Sequence, residues 1–220
     1  MDFPGDFAEH SRITERPHAM QKTFDELLEL AQLADNDGRP ATVVELLTRA
    51  SKYAPGLSAR YELTLADNLR VIGRTAEARQ LLQKIGDAPN DKAWLINVQR
   101  GQLEQDSGNF QAAAYCLETA VEQNPESTIP YIYLASAYSA MEQHDKAIDT
   151  LKAALRAEGD RDEVYLNLGY RLRAVRRYEE AREAFQQALN ITPNYADAEE
   201  ALRDVDSALE IFNEQHARDD

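Results

Sequence analysis

The chain repeats itself. At steps of 34 or 35 residues the same trio of small and aliphatic side chains returns: Val43, Leu47 and Ala50; Ala78, Leu82 and Ile85; Ala113, Leu117 and Ala120; Ala147, Leu151 and Ala154; Ala181, Phe185 and Ala188. Within each trio the steps of four and three residues mark one stripe of a helix. A period of this length is the size of one small supersecondary unit, which cannot bury its apolar face alone. Such units are stable only when stacked against their neighbours.

The rest of the composition agrees with stacked helices. Hydrophobic residues make up 43% of the chain, enough for a continuous core. Long stretches of Ala, Leu, Glu, Gln and Arg favour helix, and strand signals are weak. Turns around Gly38, Gly73, Gly108, Gln143 and Arg176 cut each repeat into two helices. Links around Pro55-Gly56, Ala88-Pro89, Asn124-Pro125, Gly159-Asp160 and Thr192-Pro193 separate one repeat from the next. These marks divide 21–195 into five helix pairs, at 24–58, 59–93, 94–127, 128–161 and 162–195. Thr23-Phe24-Asp25-Glu26 has the form of a capping box, which starts the first helix near Phe24 and sets Leu27, Leu30, Ala31 and Ala34 on one face. Residues 1–20 show no sustained period and read as a flexible N-terminal segment. In 196–217 a single stripe of Ala198, Ala201, Leu202, Val205, Ala208, Leu209 and Phe212 has no partner helix behind it. Its opposite side is acidic, as a helix that caps a stack requires.

Charge narrows the function classes. The formal net charge is −15, and 196–220 alone carries nine acids against two arginines. Such a chain is repelled by phosphate backbones, so general nucleic-acid binding is not expected. No apolar run approaches the ~20 residues that span a bilayer, and 1–20 lacks the pattern of a secretory signal. No membrane insertion and a cytoplasmic location follow as expectations. The single cysteine, Cys116, precedes a stripe leucine and reads as a buried or half-buried thiol. His10, His18, His144 and His216 are far apart, and no HExxH, Walker A, GxGxxG or GxSxG motif is present. Neither catalysis nor a cofactor or metal is expected.

The arrangement Tyr165-x2-Leu168-Gly169-x2-Leu172, followed by Ala181-x3-Phe185, Ala188 and Pro193, resembles the tetratricopeptide repeat. Leu172 stands where that family usually has an aromatic residue. The fourth pair is similar through Tyr131, Leu134, Ala135, Tyr138, Ala147, Leu151 and Ala154, with Gly159 in place of proline. The first two pairs keep the small and aliphatic positions without the aromatics. The third departs most: Asn97, Arg100 and Glu104 fall at apolar positions and Trp94 lies about one turn early. A rotated or lengthened first helix is therefore expected in that pair. The resemblance implies an all-α fold, a right-handed superhelical solenoid of antiparallel helix pairs.

The resemblance also implies a place for function. In that family the first helices of the pairs line a concave groove that receives a peptide or helix. The equivalent positions here include Leu63 and Arg70 in the second pair and Leu95, Val98 and Gln102 in the third. The fourth supplies Ile129, Ile132 and Ser136 with Tyr133 beside them, and the fifth supplies Leu166, Tyr170 and Arg173. The row is more apolar than a solvated groove needs, which suggests a partner with apolar side chains, although several of these residues also suit interhelix packing. The Lys and Asn set with which some members grip an acidic C-terminus is missing. Arg171, Arg173, Arg176 and Arg177 form a basic cluster suited to pairing with Glu179, Glu180 and Glu183; alternatively, Arg173 reaches into the groove. Two functional readings follow: a non-catalytic scaffold that binds a protein or peptide partner, or a self-associating scaffold or homo-oligomer whose groove holds a segment of its own or another copy, for which residues 1–20, with Phe3, Phe7 and Ile13, are a candidate.

Overall fold

The computed structural model describes residues 18–53, 57–86 and 92–219, with side chains described from 20 to 211 within those ranges. Residues 1–17, and with them the self-association reading built on Phe3, Phe7 and Ile13, lie outside the described residues. Eleven helices are described in chain order, and among the described residues there is no strand, only an isolated parallel bridge between Ser127 and Glu158. The protein is an all-α solenoid of antiparallel helix pairs. It divides into two compact parts, one through Arg74 and one from Thr75 onward.

The N-terminal part holds α1 (His18–Asn36), α2 (Pro40–Ala50) and α3 (Ala59–Val71). Leu27, Ala31 and Ala34 of α1 close on Val43, Leu46, Leu47 and Ala50 of α2. Helix α1 starts at His18, six residues ahead of the start expected at Phe24, so Thr23 to Glu26 lie inside a running helix. Leu30, expected on the buried face, is 51% exposed. No helix precedes α1 among the described residues to cover that edge.

The C-terminal part holds α4 (Thr75–Gly86), α5 (Ala93–Asp106), α6 (Phe110–Gln123), α7 (Thr128–Ala140) and α8 (His144–Ala154). It continues with α9 (Arg161–Ala174), α10 (Tyr178–Ile191) and α11 (Ala196–Asp219). All fifteen residues of the five repeated trios are buried, none more than 5% exposed. Each fully buried Leu or Phe in that set contributes about 1.5–3 kcal/mol of transfer free energy. The alanines give the helices close approach, because a small side chain at a crossing lets two axes come together while a larger neighbour fills the gap.

The third pair corrects the sequence expectation. Helix α5 has the same length, 14 residues, as α9, and it begins 68 residues earlier, two whole repeats, so it is neither rotated nor lengthened. Ile96, Val98 and Gly101 are buried where Val164, Leu166 and Gly169 are buried in α9. The polar residues of α5 are held by a network in place of apolar packing. Glu104 pairs with Arg79 of α4 and accepts a bond from Asn109 at 2.9 Å. Arg100 donates to the Leu82 carbonyl at 3.1 Å, and Asn97 donates to Gln123 at 3.0 Å. Burial pushes the Glu104 carboxyl up, but the bonds from Arg79 and Asn109 outweigh it and hold the group below its ordinary value. Cys116 is half-buried beside this network, and burial pushes its thiol up.

Every described turn inside a pair closes in the same way. The residues at positions 38, 73, 108, 142 and 176 take a left-handed φ between 59° and 78°. In each, the next N–H reaches back to the carbonyl five residues earlier, as in Arg39 to Ala34 and Arg177 to Leu172. This is the Schellman closure, which satisfies carbonyls the helix end leaves open. The first three positions are glycine; the last two are Glu142 and Arg176.

Candidate functional site

In the C-terminal part the odd-numbered helices α5, α7, α9 and α11 each approach the next within 8 Å between Cα atoms. Helices α6, α8 and α10 make no such approach to one another among the described residues. The odd helices therefore form the inner side of this part and the even helices the outer side. The inner side carries the residues that the sequence places in a groove.

Those residues differ in exposure. Val98 and Leu166 are buried, at 3% and 4%, and pack into core clusters that their helix pairs share with neighbouring helices. Leu95, Gln102, Ile132, Tyr133, Tyr170 and Arg173 are half-buried, while Ile129 at 41% and Ser136 are exposed. In the N-terminal part, Leu63 is buried at 6% and Arg70 is half-buried, bonded to Asp67 at 2.9 Å. The accessible apolar surface thus centres on α7, whose span Thr128–Ala140 contains no charged residue. Ser127 caps that helix through the Ile129 N–H at 3.4 Å. Gln105 of α5 bonds to the Tyr133 carbonyl at 3.3 Å and Arg171 of α9 to the Ser139 hydroxyl at 2.8 Å, tying three inner helices together.

The α9–α11 end has a different character. Arg173 pairs with Asp204 of α11 at 3.0 Å and lies 5.5 Å from the centre of the Tyr170 ring. Tyr170 packs edge-on against Phe185 at 5.4 Å. Burial, and then the charges of Asp197, Glu200 and Glu163, push the Tyr170 phenol up, with Arg173 opposing. The Glu163 carboxylate accepts bonds from Tyr195 and from Asn167. Of the arginine cluster, Arg177 takes Glu180 as expected, whereas Arg171 and Arg173 bond to Ser139 and Asp204. Sequence reasoning does not single out Asp197, Glu200 and Asp204 as inner residues, because the acidity of a capping helix suits a solvated end as well as an acidic docking surface. Their positions 34 residues after Glu163, Leu166 and Tyr170 were the signal available.

Two stretches, 105–169 and 162–195, match family models described as tetratricopeptide repeat. Residues 105–195 are built of tetratricopeptide repeats. Among solved structures, the array is similar to a thermophilic tetratricopeptide-repeat protein of Thermus thermophilus. The TM-score is 0.64 at 21% identity, over 84% of this chain and 98% of that one. It is also similar to the first tetratricopeptide domain of Spaghetti (RPAP3) bound to the HSP90 peptide SRMEEVD. There the TM-score is 0.51 at 21% identity, over 55% of this chain and 96% of that one. A curated relative, the small glutamine-rich tetratricopeptide repeat-containing protein 2 of Mycosarcoma maydis, is 29% identical over 119 residues. That match takes in 54% of this chain and only 34% of the relative's length. No described helix is long and apolar enough to cross a membrane.

Proposed function

We propose that the inner side of the C-terminal part is a docking face for a protein or peptide segment with apolar side chains, and that the chain serves as a non-catalytic interaction scaffold. The observation that carries this reading is the uncharged α7, which presents Ile129 and, half-buried, Ile132 and Tyr133 on the inner side. A core helix would bury such side chains, and a solvated helix would replace them with charge. Leu95 and Gln102 on α5 and Ser136 on α7 supply flanking apolar and hydrogen-bonding surface. Tyr170 on α9 extends the strip. The tetratricopeptide domain of RPAP3 with its bound peptide gives a precedent for peptide capture on this fold.

The test is binding to a partner captured with the full chain. Ile129→Asp and Ile132→Asp place charge on half-open surface, so each variant is expected to keep its helical circular dichroism and lose affinity by about tenfold or more. Leu166 is unsuited to this test because it is buried and its loss would disturb the fold. Folded Ile129→Asp and Ile132→Asp variants that bind as the parent does would refute the reading.

A further inference from the structure

The inner side is divided in charge along its length. From α5 to α7 the positions facing inward are Leu95, Gln102, Gln105, Ile129, Ile132, Ser136 and Ser139, all uncharged. From α9 to α11 they are Glu163, Tyr170, Arg173, Asp197, Glu200 and Asp204. The one cation among these is already bound to Asp204. Glu163 is held by two neutral donors, the Tyr195 hydroxyl and the Asn167 amide, which fix its direction without neutralising it. No ion pair to Glu163, Asp197 or Glu200 occurs among the described residues. After burial, all three negative charges push the Tyr170 phenol up, with Arg173 opposing them.

We infer that the segment received on this face is cationic as well as apolar: its hydrophobic side chains lie over α5 and α7, and its lysines or arginines lie over Glu163, Asp197 and Glu200. The inference rests on the reading above that the face receives a segment at all. Charge complementarity selects the occupant. An acidic segment, like the SRMEEVD peptide bound by the RPAP3 domain, would set carboxylate against carboxylate here, which opposes docking. A basic side chain would meet three acids that no cation of the described residues pairs with.

The spacing of the helices sets the form of the partner. Neighbouring packed helices lie about 8–10 Å apart, so α7 and α11, two steps from each other, are about 16–20 Å apart. An extended segment covers that distance in about five or six residues at ~3.3 Å each. A helix lying across the face needs about 11–13 residues at ~1.5 Å each. The partner therefore carries an apolar group and a basic group separated by one of these intervals.

Two synthetic fluorescein-labelled peptides of about 14 residues, long enough for either form, test the inference with the full chain. One has a Leu/Phe half and a lysine half; the other has glutamates in place of the lysines. Fluorescence anisotropy is expected to show binding of the lysine peptide only, weakening about tenfold between ~0.05 and ~0.3 M NaCl. The double variant Asp197→Asn/Glu200→Gln is expected to weaken it about fivefold or more. Glu179→Gln/Glu183→Gln on the outer helix α10 removes the same charge and is expected to change affinity less than about twofold. Equal losses in the two double variants would reduce the effect to general attraction by an acidic protein and overturn the inference. So would failure of the lysine peptide to bind. Binding of the glutamate peptide, abolished by Ile129→Asp, would keep the docking face and overturn its assigned charge. A protein dimer in sedimentation that Ile129→Asp dissociates would assign the face to a second copy and overturn the inference. Lysine-peptide binding that is indifferent to Ile129→Asp would instead remove the docking face itself.

Discussion

Glu142 and Arg176 do with a side chain what Gly38, Gly73 and Gly108 do without one. A left-handed φ costs a non-glycine residue about 1–2 kcal/mol, and here the surrounding Schellman bonds hold it in place. Glu142→Gly relieves that strain and loses part of the gain to greater freedom in the unfolded chain. The expected result is a net stabilisation of about 0.5–1 kcal/mol, seen as a higher urea midpoint with an unchanged slope. A lower midpoint would show that the Glu142 side chain makes a compensating contact. Single residues also show where sequence reading of the site was limited. The pattern identifies Val98, Leu166 and Leu63 as inner positions, but burial depends on what a neighbouring helix covers, and no spacing rule reports that. Arg173 was readable as basic and inner, but its partner, Asp204, is 31 residues away on α11.

At the scale of helices, the crossing inside the third, fourth and fifth pairs is set by volume shared between two positions. In the fifth pair Gly169 faces Phe185, and a Cβ at Gly169 would lie 2.4 Å from that ring. In the third pair Gly101 faces Leu117, where a Cβ would lie 2.6 Å from Leu117 Cγ. The fourth pair places Ala135 and Leu151 at the equivalent positions, both buried. Gly169→Ala is expected to destabilise by about 1–3 kcal/mol through overpacking. Adding Phe185→Leu recreates the combination of the fourth pair and should recover much of that loss. Additive losses in the double variant, measured by chemical denaturation, would show that the two sites are not coupled. The helix pairs themselves were legible, because trios at a fixed period survive variation around them. Helix α5 was misread because Asn97, Arg100 and Glu104 exchange apolar packing for hydrogen bonds and an ion pair. Gly101, two repeats before Gly169, carried the correct register.

For the whole molecule, a stack in which each pair meets only its neighbours distributes stability locally. Ala181→Leu overpacks the α9–α10 crossing, where Ala181 is fully buried. Hydrogen exchange is expected to speed up in α8 to α11 and to stay unchanged in α1 to α3; uniform acceleration along the chain would mean that the array unfolds as one unit. The shared volumes at the crossings also determine where such a gene tolerates recombination. A cut at an inner turn, such as Glu142, would join Ala135 to a Phe185 equivalent, or Gly169 to a Leu151 equivalent. The first chimera clashes, and the second exchanges a Gly–Phe crossing for the tighter Gly–Leu volume of the third pair, which the helices flanking the fifth pair are not spaced for. A cut at the links, near Asn124 or Thr192, moves each crossing intact. The heritable module of this protein is therefore the matched pair, and its natural borders are the links between pairs.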